Sequence, residues 1–280
     1  MLIQQQIRGE MRQGITQEVA LSEGWKNGLR LIRRIGANAR YFTDSATKIP
    51  FDVAQGNAAA GMCIDFYGRT YNEITKHPDR GPRIHYITPP GGSSFSVDPI
   101  AMLRGAPHPE IAQAFIDFVI SPDGQKIWAF RPGTPGGPEK KALRRLPIRK
   151  DLYSQKNNPH CSDPEIRPFS NITGFEYISS WTGGHFNPLR FIVRVMCIDT
   201  HDELQNAWQA LIRSGFPPKA LAVFNRIDEK ICYTECKKNG GLGKILGGKN
   251  SLEKARLAKE LASSFRKQYT EVLKLAEAGH

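Results

Sequence analysis

No run of about 18 apolar residues occurs anywhere in the 280-residue chain, so nothing in it reads as a membrane-spanning helix. Cysteine is scarce as well. The five thiols, Cys63, Cys161, Cys197, Cys232 and Cys236, are too few and odd in number to form a disulfide scaffold. Cys232 and Cys236 are four apart, not in a C-x-x-C, and no histidine pair completes a zinc knuckle. Catalytic signatures are missing too. There is no G-x-S-x-G and no H-E-x-x-H, and none of the seven histidines stands beside a Ser or Cys in a nucleophile motif. Gly243-Lys244 lacks the spacing of a phosphate loop, and Ile245 replaces the hydroxyl that loop needs. The start, Met1-Leu2-Ile3-Gln4-Gln5-Gln6, has no basic n-region, apolar h-region or A-x-A site, so no secretory signal is written there.

Acidic residues are the scarcer charge: 27 Asp and Glu stand against 39 Lys and Arg, for a formal +12. The excess is spread as +2 over residues 1–75, +4 over 76–145 and +6 over 146–280. Without a basic tail or an aromatic–basic repeat, this pattern argues against nucleic-acid binding and suits attraction of small anions. With 40% hydrophobic and 24% charged residues, the chain has a globular composition and enough length for a substantial core.

Apolar spacing predicts helices over 2–13 and 17–35, with Arg30, Arg33 and Arg34 near the second C-terminus, where cations suit the helix dipole. Ala39–Phe42, Ala58–Tyr67 and Arg83–Thr88 read as strands, with a short helix over Pro50–Gln55 ending at Gly56. Pro109 opens a helix with the apolar stripe Ile111, Ala114, Phe115, Phe118 and Val119, and Ser121-Pro122-Asp123 starts another. Residues 131–141 read as a linker, 150–186 as irregular and Gly240–Gly248 as a flexible loop. Thr200 with Glu203 fits a capping box, and Ser251 is expected to cap a last helix striped by Ala258, Leu261, Phe265, Tyr269, Val272 and Ala276. Alternating elements over 37–130 indicate an α/β protein, and 187–278 a helical segment.

Three segments could carry chemistry. Thr43-Asp44-Ser45-Ala46-Thr47 puts the hydroxyls of Ser45 and Thr47 before a helix, where they could hold an anion or simply cap it. On a strand, Asp65, Tyr67 and Arg69 would share one face, suited to a ligand at a sheet end or to an ion pair. Gly91–Asp98 is a small-residue loop that could approach a ligand closely or only turn the chain.

Val53–Asp65 and Pro107–Trp128 (PHPEIAQAFIDFVISPDGQKIW), continued by Leu146-Pro147-Ile148-Arg149, resemble bacterial solute-binding proteins of ABC importers. The resemblance is to type II periplasmic binding proteins, and more narrowly to the ferric-ion-binding group, over about residues 15–150. It implies an α/β, two-lobed fold with an incomplete first lobe and a mainly helical C-terminal extension. Residues 1–75 would form part of the second lobe with a hinge strand, 76–145 part of the first lobe, and 146–280 the extension. It implies non-catalytic capture of a small anionic solute or ferric complex by lobe closure, with no cofactor required. The partners would be an ABC permease and its ATPase, the location the periplasmic or extracellular face, and membrane contact only through the permease. Ser45, Thr47, Asp65, Tyr67 and Arg69 would be the ligand-binding residues. Ferric-binding members use two adjacent tyrosines. Tyr67 matches the second and is the candidate metal ligand, while Phe66 stands where the first would be. Met1 falls well inside the family pattern, so the resemblance implies a chain truncated at its N-terminus. The rival reading is a cytoplasmic α/β enzyme using Asp65, Tyr67 and Arg69 on an anionic substrate.

Overall fold

The computed structural model describes residues 1–96, 98–170 and 175–278. Val97 of the Gly91–Asp98 loop and residues 171–174 of the irregular stretch lie outside the described residues. The helices in chain order are α1 (Leu2–Met11), α2 (Gln17–Asn38), α3 (Lys48–Ala54), α4 (Asp65–Ile74), α5 (Pro109–Ile120) and α6 (Pro122–Ala129). They continue with α7 (Ser179–Thr182), α8 (Phe186–Val193), α9 (His201–Arg213), α10 (Pro218–Asn225), α11 (Gly241–Gly247) and α12 (Ser251–Glu277). Strand pairing among the described residues is confined to β1 (Lys76–His77) against β2 (Gly81–Pro82), antiparallel, and an isolated Phe130–Cys161 bridge.

A sheet built from the three expected strands is therefore absent among the described residues. Ala59–Met62 is exposed irregular chain, with Met62 65% and Ile64 51% accessible, although an apolar run there suggested a buried strand. An extended segment becomes a strand only when a neighbour takes up its backbone N–H and C=O groups, and no such neighbour lies alongside 39–42, 58–64 or 83–88. Gly240–Gly248, expected as a loop, contains α11.

Two compact units emerge, residues 1–42 with 177–278, and residues 43–176. These boundaries differ from 75/76 and 145/146 because the apolar faces of α1 and α2 find their partners in the C-terminal helices. In the first unit Trp25, Leu29, Ile192, Val195, Leu204, Leu211, Phe224 and Tyr269 form one buried core. The last helix buries Leu261, Phe265, Tyr269, Val272 and Ala276, the stripe its 3.6-residue period predicts. Its cap is Asn250 rather than Ser251: the Asn250 side chain accepts from the N–H groups of Leu252 and Glu253. Thr200 makes no capping box, because its hydroxyl donates instead to the carbonyls of Val195 and Met196, behind α9.

Two features set the packing of α2. Arg33, expected as a solvated cation at the end of its own helix, is fully buried. Its Nη1 donates to the carbonyls of Phe224 and Arg226, at the C-terminus of α10. The guanidinium lies 5.6–5.9 Å from the rings of Phe224, Phe265 and Tyr269. Orphan carbonyls and ring faces take the place of a carboxylate partner. On the opposite side, Gly24 and Gly28 let α1 lie directly against α2. A Cβ at Gly24 would stand 2.4 Å from the Ile7 Cα, and one at Gly28 would stand 2.8 Å from the Ile3 Cα. Alanine has the better helix propensity by about 1 kcal/mol. Moving the α1 backbone aside belongs with overpacking costs of about 1–3 kcal/mol. Gly24→Ala is therefore expected to lower stability by up to about 2 kcal/mol, the overpacking cost less the propensity gain. Urea unfolding followed by far-UV circular dichroism checks this, and a raised midpoint would refute the close contact.

In the second unit α5 departs most from expectation. Ile111, Ala114, Phe115 and Phe118 are exposed and no α5 residue is buried, although the stripe read as a buried face. The period was read correctly, but no described element covers that face. α6 starts as expected, with Ser121 Oγ accepting from the Gly124 N–H at 3.1 Å.

Candidate functional site

Asp65, Tyr67 and Arg69 do not share a strand face. They begin α4, with Ile64 as the N-cap residue and Asp65 in the first turn, where a carboxylate suits the dipole. Four residues on a helix bring Asp65 and Arg69 together, and Arg69 Nη1 meets the Asp65 carboxylate at 2.6 Å. Tyr67, two residues on, turns to another side of the helix and packs its ring 4.2 Å from that of Phe66. Ser45 and Thr47 place their hydroxyls 3.2 Å apart, and Thr43 Oγ1 accepts from the Ser45 N–H. Thr47 precedes the seven-residue α3 without capping it through its side chain.

Arg69 is the one member of the five that lines a cleft in residues 43–176 with a volume of about 390 Å³. Its anchor is Asp163. Arg69 Nε donates to one carboxylate oxygen at 3.0 Å, and Arg144 Nη1 donates to the other at 2.5 Å. Arg69 Nη2 also donates to the Arg144 carbonyl at 2.7 Å. Arg144 sits at φ 54°, a left-handed backbone that a non-glycine residue adopts at some cost, and these two bonds hold it there. Burial pushes the Asp163 carboxyl above the ordinary carboxylate range, while the charges of Arg69 and Arg144 pull it back. With two guanidiniums on its two oxygens, Asp163 is the ionised centre of the group.

The floor of the cleft is held by backbone. Ser162 N–H donates to the Ala129 carbonyl at 2.9 Å, and Arg131 N–H donates to the His160 carbonyl at 2.7 Å, on either side of the Phe130–Cys161 bridge. This pairing joins the end of α6 to residues 160–162 and sets Arg131, Ser162 and Asp163 around one space. Tyr86, Thr88, Asn72, Glu73 and Glu165 complete the polar lining. Arg69 and Arg144 are bound to Asp163, whereas no hydrogen bond or ion pair among the described residues engages the Arg131 guanidinium. The Ser162 hydroxyl oxygen is buried and has no hydrogen-bond partner among the described residues.

Arg131, Arg144, Ser162, Asp163 and Glu165 were not expected from sequence. Arg131 fell in a linker and residues 162–165 in an irregular stretch, neither of which has a period that marks a face. Arg69 was singled out from sequence, but as part of a strand face; its pairing with Asp65 arises because the segment is helical.

Among the described residues no group of three or more His, Cys, Asp and Glu side chains is arranged to hold a metal ion. Asp65, the hard oxygen nearest Tyr67 in sequence, is occupied by Arg69. No helix among the described residues is long and apolar enough to cross a membrane. All five cysteines are free thiols.

Comparison with known families adds one observation. Residues 11–147 match the bacterial extracellular solute-binding protein family. The match covers just under half of the chain and takes in Arg69, Arg131 and Arg144, while Ser162, Asp163 and Glu165 lie beyond it. It supports a substrate-binding role in an ABC-type transporter, association with permease and ATPase components, and a periplasmic or extracellular location. It is also consistent with a protein that performs no catalysis. No curated protein and no solved structure matches the chain.

Proposed function

We propose that this chain is the solute-capturing component of an ABC-type importer, that its solute carries an acidic group, and that the cleft around Arg131 is where that group is held. The observation that carries the reading is the coincidence of the family match with an unengaged guanidinium beside an unpartnered, buried hydroxyl. Guanidinium and hydroxyl donors together suit a carboxylate or phosphoryl group. Arg69 serves this site as a positioning residue, held by Asp163 on one side and by Asp65 on the other. Ser45 and Thr47 form a separate hydroxyl pair that could receive an anion from another side. Capture involves no bond making or breaking and is followed by delivery to the permease.

A ferric cargo is the narrower version of this reading and rests on Tyr67 alone, since Phe66 offers no ligand atom. The test is a thermal-shift panel of carboxylates, phosphorylated compounds, amino acids, sugars and ferric citrate on the full chain. A solute at 100 times its Kd adds about 2.7 kcal/mol of stability, which raises Tm by several degrees. The expected result is a shift with an acidic solute that Arg131→Gln abolishes and Tyr67→Phe leaves intact. A shift with ferric citrate alone, lost in Tyr67→Phe, would move the reading to the metal. No shift with any compound would overturn it.

A further inference from the structure

The lining of the cleft carries three arginines, Arg69, Arg131 and Arg144, and three carboxylates, Glu73, Asp163 and Glu165. A site evolved only for an anion would leave its positive charge in excess, and this one does not. The internal pairing sharpens the point. Asp163 is spent on Arg69 and Arg144, and Arg69 is paired a second time with Asp65. What remains for a solute is one guanidinium, Arg131, and two carboxylates, Glu73 and Glu165, none of which is engaged by a hydrogen bond or ion pair among the described residues. Ser162 lines the same space at 9% exposure, and among the described residues its hydroxyl oxygen has no partner. Leaving a buried hydroxyl unpaired is unfavourable. A solute acceptor placed against it would give it a partner.

We infer that the solute is a small zwitterion, with an acidic group on Arg131 and Ser162 and a protonated amine against Glu165 and Glu73. The inference rests on the solute-binding reading and deepens it. An anion alone meets the Arg131 charge but is repelled by the two glutamates, and an amine alone has the opposite fault. A molecule carrying both charges satisfies all three groups, and about 390 Å³ is the size of a small-molecule site.

The test uses a matched series on the full chain: glycine, β-alanine, γ-aminobutyrate and 5-aminovalerate, each beside the acid lacking the amine and the amine lacking the acid. Binding is read by thermal shift and calorimetry. At least one ω-amino acid is expected to raise Tm, while its acid and amine counterparts bind about tenfold more weakly or not at all. Glu73→Gln with Glu165→Gln should remove about tenfold of the zwitterion affinity and leave acid binding unchanged or improved. Arg131→Gln should weaken zwitterion and acid alike. These exposed side chains hold nothing in place, so the variants should keep the wild-type circular dichroism spectrum. Acids that bind as well as their ω-amino counterparts would overturn the inference and leave the solute-binding reading standing. Stabilisation by another compound of the wider panel, with none by any ω-amino acid, would also overturn the inference alone. Silence from every compound would overturn both.

Discussion

Asp163→Ala is expected to destabilise residues 43–176 by about 3–5 kcal/mol, because it leaves two buried guanidiniums without their shared carboxylate. The side chains of Arg69, Arg144 and Asp163 are 8%, 12% and 7% exposed, so water cannot replace what the substitution removes. Loss of one partner from a buried charge group is far more damaging than removal of the whole group. The triple variant Arg69→Met, Arg144→Met, Asp163→Leu should therefore be less destabilised than Asp163→Ala. Hydrogen exchange of the amides of residues 43–176 across a urea series reads the effect in this unit, because whole-chain fluorescence would mix Trp128 with Trp25, Trp181 and Trp208 of the other unit. A loss below about 1 kcal/mol, the range of exposed ion pairs, would show that the group is solvated rather than buried.

Trp25→Ala is expected to have an effect of similar size in the other unit, about 3–5 kcal/mol. Trp25 is fully buried and touches His185 and Tyr233, with ring centroids 5.3 and 5.9 Å away. Its Nε1 donates to the Ile231 carbonyl at 2.9 Å, so truncation opens a large cavity and also strands a buried acceptor. Trp25→Phe fills most of the space but loses the donor, and should cost less than the alanine variant. Thermal melts followed at 222 nm separate the two. Equal losses from both variants would mean that the hydrogen bond, not the packing, dominates.

What could be read from sequence follows a physical line. The stripe Leu261, Phe265, Tyr269, Val272 and Ala276 was legible because a helix buried along one side repeats its apolar residues every three or four positions. Ala58–Tyr67 was misread because a short apolar run carries no period, and whether it becomes a strand depends on a neighbour that the run itself does not encode. Asp65, Tyr67 and Arg69 were read as one strand face, and the helix that forms instead pairs Asp65 with Arg69 and turns Tyr67 elsewhere. The α5 stripe shows the converse limit: Ile111, Phe115 and Phe118 keep helical spacing, yet spacing does not supply a covering surface.

The cleft itself was almost illegible. Arg69 and Asp163 are 94 residues apart and Arg144 and Asp163 are 19 apart, so only the fold brings them together. The left-handed backbone of Arg144 and the unpaired hydroxyl of Ser162 are tertiary facts with no local sequence mark. The family match reaches the arginines but not the serine or the anchoring aspartate. The diffuse +12 charge suggested an anionic solute, whereas the cleft balances its arginines with carboxylates, which sharpens that expectation toward a dipolar one.

Hydrogen exchange on the full chain, with and without the solute that raises Tm most, tests the central claim most directly. A solute held in the cleft should slow the amides of residues 129–131 and 160–166, and leave those of α9 and α12 unchanged; in Arg131→Gln the protection should vanish. Protection confined to α9 and α12, or protection that persists in Arg131→Gln, would contradict the claim that this cleft is where the solute binds.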